Sequence, residues 1–338
     1  MGKSGNGVGR RARLYGRRGP RSLRATMIVA VLGLSVWGCS AARQPEPVPY
    51  DIEPWRFGRT EGQKIITPHY EVHTTLTDRV LLETFPELIE RAYARYRELV
   101  PPAHEPEERM RVYLFATRPQ WVAFTQRFTG PRAGTFLKVR GGGYSEDGVS
   151  VIQYVAHQVT FPLLAHEGFH QYLHHCVNGA VPAWVNEGLA VASEGQRWTG
   201  SGLQAFDPWY NPVRRNQLAE ALLRDRLFPL PELLGTHAGN VVQETSVRVA
   251  TYYAQVWGLV LFLEEGANGK YADGFRRLLQ SLSAPDLEQR LLAESVFSEQ
   301  RTELSRGEAL FRSFISDDLE AVEREYVVFL RQRILNER

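Results

Sequence analysis

The pentapeptide His166-Glu167-Gly168-Phe169-His170 restricts what this chain can fold into more than any other stretch. On a helix, residues four apart share a face, with Cβ atoms about 5–6 Å apart. The two imidazoles then converge on one point, while Glu167 is turned aside from it. Such a pair can hold one tetrahedral zinc ion at about 2.0–2.1 Å from each ring. The rotated carboxylate can take a proton from water polarised by that ion. Thr160 reads as a cap and Pro162 as a first-turn residue, and Leu163, Leu164 and Leu173 supply apolar contacts. The competing reading is two surface histidines on an ordinary amphipathic helix.

A catalytic zinc needs a third protein ligand and one open position. His174 continues the spacing of the pair but stands about 12 Å along a straight helix from His166, too far to share an ion. His174 and His175 therefore read as solvated or supporting residues. Sixteen residues separate His170 from Glu187, in Trp184-Val185-Asn186-Glu187-Gly188-Leu189-Ala190. Asn178-Gly179 and Pro182 mark a turn before this segment, which reads as a second helix. Packed antiparallel to the first, that helix can return Glu187 to the metal as the candidate third ligand; the competing reading is a helical Glu on an exposed face.

The surrounding pattern predicts an α+β fold. His69–Thr74, Arg111–Ala116 and Val149–Val155 read as strands, residues 78–100 as an amphipathic helix, and Trp121–Phe128 as a short one. Gly141–Gly143 reads as a turn, lacking the spacing of a dinucleotide loop. From Thr160 onward nearly every segment has helical periodicity. The expected boundaries are a leader at 1–38, a Pro-rich tether at 39–62, an α/β part at 63–158 and a helical part at 159–338.

The two motifs together, H-E-x-x-H and W-x-N-E-G-x-A, resemble the gluzincin metallopeptidases, most closely the peptidase MA-like proteins of the DUF1570 type. The resemblance spans roughly Val112 to Leu279, about half of the chain. It implies a zincin-like fold, in which a small mixed sheet and the active-site helix pack on an all-helical C-terminal half. It also implies His166, His170 and Glu187 as zinc ligands and Glu167 as general base. The segment Tyr253-Ala254-Gln255-Val256-Trp257-Gly258-Leu259 resembles the helix that carries the oxyanion-stabilising Tyr in gluzincin aminopeptidases, which implies that role for Tyr253. Two other assignments stay open here: Tyr253 as a core aromatic, and His237 in the same role. The third histidine of a metzincin is missing, since Leu173 and Cys176 occupy the later positions. The Gly-x-Met-Glu-Asn segment that grips a free amino terminus is missing too, which favours endo-action. Val149–Tyr154 is the expected edge strand for an extended substrate.

The first 38 residues carry eight basic side chains and no acidic one, which turns the net charge from +2 for the whole chain to −6 for the remainder. The main body thus gives no electrostatic footprint for nucleic acid. An apolar run from Ala25 to Trp37 has the length of a signal-peptide core and is too short to span a bilayer. It ends at Gly38-Cys39-Ser40, which resembles the lipobox of bacterial lipoproteins and implies lipidation at Cys39. Cys176 then has no disulfide partner and reads as a small buried residue. The expectation is a lipid-anchored, envelope-facing zinc metallopeptidase acting on a peptide or protein. The rival is a non-catalytic zinc-binding lipoprotein that serves as a scaffold.

Overall fold

Alternation of side chains between two faces builds a six-stranded mixed sheet, in the order β1-β2-β3-β4-β6-β5. Its members are β1 (Asp51–Phe57), β2 (Thr60–Ile66), β3 (Tyr70–Thr74), β4 (Met110–Phe115), β5 (Gly143–Glu146) and β6 (Val149–Gln153). The central strands β3, β4 and β6 run parallel; the pairs at either side are antiparallel. This computed structural model describes residues 47–139, 142–199, 202–236, 245–287, 289 and 305–336. The expected leader 1–38, Cys39 and His237 lie outside the described residues.

Parallel strands need a crossover. Helix α1 (Arg79–Leu99) supplies it between β3 and β4. Asp78 caps α1 by accepting from the Leu81 N–H at 3.2 Å, and Leu81, Phe85, Leu88, Ala92 and Tyr96 form its buried stripe. Val72, Val112, Leu114 and Ile152 on the sheet face this core. The other face holds Phe115 and Val151, which α2 (Arg118–Thr129) covers with Trp121. A single turn, α3 (Ala133–Phe136), then leads towards β5.

The expected tether at 39–62 is corrected from Asp51 onward, where the chain is a hairpin in the sheet. Pro54 lacks a ladder donor, yet β1 pairs on one side only, and proline is tolerated on such an edge. The aromatics of β1 hold the hairpin down: Trp55 lies 5.1 Å from the His73 ring and Phe57 4.9 Å from Phe115. A second correction concerns the free edge. Val149–Tyr154 was the expected edge strand, but β6 is flanked by β4 and β5, and β5 is outermost. Asp147 and Gly148, both left-handed (φ 49° and 70°), form the two-residue turn that joins them. Gly143, expected in a turn, is the first residue of β5.

The motif helix α4 (His157–Cys176) starts three residues before Thr160, which lies inside it with its Oγ1 accepting from the Val155 N–H at 3.3 Å. Helices α5 (Ala183–Ser193), α6 (Pro212–Leu223), α7 (Leu230–Gly235), α8 (Ser246–Glu265), α9 (Ala272–Ser281), α10 (Arg306–Phe314) and α11 (Leu319–Leu330) follow. This half is not all-helical, because β7 (Trp198–Thr199) and β8 (Gly202–Leu203) pair after α5. No described helix is long and apolar enough to cross a membrane.

Candidate metal centre

Helix α4 is fixed at the motif by hydroxyls from three other elements. The Tyr96 phenol on α1 donates to the Ala165 carbonyl at 2.6 Å. Ser145 and Ser150, paired across β5 and β6, both donate to the Glu167 carbonyl, at 2.9 and 3.3 Å. One turn on, the Gln171 amide donates to the carbonyls of Arg111 and Gly148. A helical carbonyl keeps a lone pair free after its own helix bond, so these contacts lock α4 to α1 and the sheet without breaking it.

The second motif reaches the first through a close helix crossing. A Cβ on Gly188 would stand 2.6 Å from Val260 Cγ1 and 2.8 Å from the Val256 carbonyl oxygen on α8. The absent side chain lets α5 settle onto α8 and brings Glu187 to α4. The His166 and His170 rings lie 4.9 Å apart, nearly perpendicular. Glu187 Oε2 stands 3.6 Å from the Nε2 atom of each. The ligand atoms of His166, His170 and Glu187 all fall within 4.8 Å of one another. The expected triad is therefore brought together.

Outer partners set which nitrogen of each ring faces the cluster. Nδ1 of His166 lies 2.8 Å from Glu194 Oε1, and Nδ1 of His170 lies 2.7 Å from Asn186 Oδ1. Both oxygens only accept, so each Nδ1 carries a hydrogen, and it is Nε2, the nitrogen facing Glu187, that offers its lone pair once the ring is neutral. Asn211 extends the chain of contacts: its Nδ2 donates to Glu194 Oε2 at 2.7 Å, while its Oδ1 caps α6 at the Arg214 N–H. Sequence reasoning missed Asn186, Glu194 and Asn211. The signal for Glu194 was present, because it follows Glu187 by seven residues, two helical turns along the same face.

Glu187 Oε2 is buried with no hydrogen-bond partner among the described residues, an arrangement costly for a carboxylate unless a cation completes it. Its spacing suits one. Two donors each about 2.0–2.2 Å from an ion, at tetrahedral to trigonal angles, stand about 3.3–3.6 Å apart. The three residues thus form a group able to hold a metal ion.

The site's electrostatics seek positive charge. Burial alone would lower His166, but its contacts with Glu187 and Glu194, and the charges of Glu194 and Glu167, push it up to about 10. Burial would raise Glu187; the charge of His170, the contact with His166 and its charge, and the charge of Arg214 hold its carboxyl below the usual carboxylate range. Glu194 is likewise held low against burial by His166, with help from Arg214 and Asn211. Burial raises the Glu167 carboxyl, opposed by His166 and His170.

Tyr253, on α8, stands beside the group, its ring 6.3 Å from that of His166 and beneath the Arg214 guanidinium at 5.1 Å. Burial and the charges of Glu187 and Glu167 hold its phenol well above the usual tyrosine value, so it stays a donor. His174 and His175 sit over the β5–β6 turn, where His175 Nε2 lies 2.9 Å from the Gly148 carbonyl oxygen. Cys176 is a free, fully buried thiol. Comparison with protein families, with curated proteins and with solved structures finds no match.

Proposed function

We propose that this chain is a zinc-dependent metallohydrolase, an endo-acting peptidase on a zincin-like scaffold. The observation that carries the reading is the unpartnered Glu187 Oε2 facing two imidazole Nε2 atoms, with buried Glu167 on the same helix turn. Two imidazoles and one carboxylate are the donor set of zinc sites that keep a coordination position open. Zinc, when bound, supplies Lewis-acid polarisation of water and of the scissile carbonyl.

The chain's own groups do the rest. Glu167 accepts the proton of the attacking water and returns it to the leaving amine. The peptide unit of Glu167 is held by Ser145 and Ser150, so the base does not drift with substrate. Tyr253 offers a hydrogen bond to oxygen as negative charge builds on it. Strand β5, the outermost strand beside α4, offers its backbone to an extended substrate. The sequence of the leader adds a place for the reaction: the bacterial envelope, with a lipid anchor at Cys39.

Metal analysis and proteolysis test the reading together. The purified protein should carry about one zinc per chain and cleave members of a mixed peptide library. Glu167→Gln should keep the zinc and lose the cleavage. A zinc-loaded wild type that cleaves nothing would favour the scaffold alternative, and a protein that takes up no zinc would overturn both.

A further inference from the structure

Arg214 lies in the first turn of α6, its Cζ 5.1 Å from the centre of the Tyr253 ring and so next to the metal-binding group. Its charge reaches Glu187 and Glu194, but both carboxylates have other commitments. Glu194 spends its oxygens on His166 and Asn211, and Glu187 faces the two Nε2 atoms. The guanidinium donates to the Gln217 side-chain oxygen at 3.1 Å and has no carboxylate at salt-bridge distance among the described residues. Some other arginines of the helical half do have one: Arg248 pairs with Glu232, Arg312 with Glu308, and Arg333 with Glu265. None of the guanidinium nitrogens of Arg214 is sealed from solvent without a partner.

A guanidinium is a planar fork whose geometry matches a carboxylate. Here the fork is half-buried, laid over an aromatic ring and without a carboxylate in contact among the described residues. We infer that Arg214 is a specificity residue that binds a carboxylate of the substrate, so that peptides with an acidic side chain or a free C-terminus near the scissile bond are preferred. The inference rests on the metallohydrolase reading and deepens it. An acidic side chain and a chain end present the same group, and the test separates them.

The full chain carrying Glu167→Gln, loaded with zinc, serves as a binder that does not cleave. Fluorescence anisotropy measures its affinity for two matched pairs of short mixed-sequence peptide pools: free acid against C-terminal amide, and Glu against Gln at a fixed position. At least one carboxylate pool should bind about tenfold tighter than its neutral partner, as a charge-assisted bond allows. Arg214→Met should erase that preference, and Arg214→Lys, which keeps the charge without the fork, should retain part of it. Preference in the first pair assigns a C-terminus, and in the second an acidic side chain. Equal binding within both pairs overturns the proposal. So does a preference that survives Arg214→Met in protein of unchanged zinc content and melting temperature. If Arg214→Met does not fold, Arg214→Lys decides alone, since an undiminished preference there removes the role of the fork. Parallel incubation of the pools with wild type keeps the two readings apart. No cleavage of any pool, beside an Arg214-dependent preference, fails the peptidase reading and leaves the carboxylate site standing.

Discussion

Glu187 and Glu194, two helical turns apart, address opposite nitrogens of the His166 ring, at 3.6 Å from Nε2 and 2.8 Å from Nδ1. One carboxylate stands where a ligand belongs, and the other holds the ring in the tautomer that a ligand needs. Helix α5 and its C-cap residue thus supply both a donor to the site and the support for another donor.

Removing the support should weaken the site without dismantling it. Glu194→Ala leaves the His166 Nδ1–H without its acceptor, and zinc affinity should fall about 10–100-fold. Glu187→Ala should fall further, because a donor itself is lost. Competition with a chromogenic chelator ranks the two; equal affinity of Glu194→Ala and wild type would contradict the role of this contact.

The raised His166 value has a sign that can be checked. In the metal-free protein its folded value of about 10 exceeds the ordinary imidazole value. Protonation of this ring therefore stabilises the fold fully below about pH 6.5. That contribution is lost as pH rises through about 10. A metal ion takes the place of the proton. Zinc uptake should release a proton, and apparent affinity should climb between about pH 7 and about pH 9. Titration calorimetry in buffers of different ionisation enthalpy counts that proton, and a count near zero would contradict the assignment.

The crossing of α5 and α8 should tolerate no side chain at Gly188. Gly188→Ala places a methyl 2.6 Å from Val260 Cγ1 and 2.8 Å from backbone. Overpacking of this kind costs about 1–3 kcal/mol, seen as a lower melting temperature. Because Glu187 is the neighbouring residue, zinc affinity should fall in the same variant.

Tyr253→Phe keeps the ring that packs near His166 and removes one hydroxyl. If the phenol stabilises the developing oxyanion, kcat should drop about a hundredfold with zinc content and melting temperature unchanged. Loss of stability with kcat retained would instead make Tyr253 a packing residue.

The fold was legible wherever periodicity was clean. Strands β3 and β4 and helix α1 fall within a residue or two of the expected ranges, because their faces alternate or repeat against one core. The hairpin β1–β2 was hidden by Pro54 and its neighbouring prolines, which read as a tether. The aromatic face formed by His73, Tyr113 and Phe115, and the burial of Ile65 in the core, give that segment something to fold onto. Strand β5 was hidden by glycines, although Asp147-Gly148 is the dipeptide that a two-residue hairpin turn prefers.

Sequence alone determined the chemistry on offer: two histidines and a glutamate at helical spacing, followed by a second Glu-bearing helix. Those are local facts, since a helix fixes which side chains share a face. Tertiary structure decided that Glu187 returns to the pair, that Glu194 and Asn186 set the tautomers, and that Arg214 stands over Tyr253. These depend on where separate helices cross. Crossings are set by the packing of whole faces, down to the missing side chain at Gly188, which no short window of sequence contains.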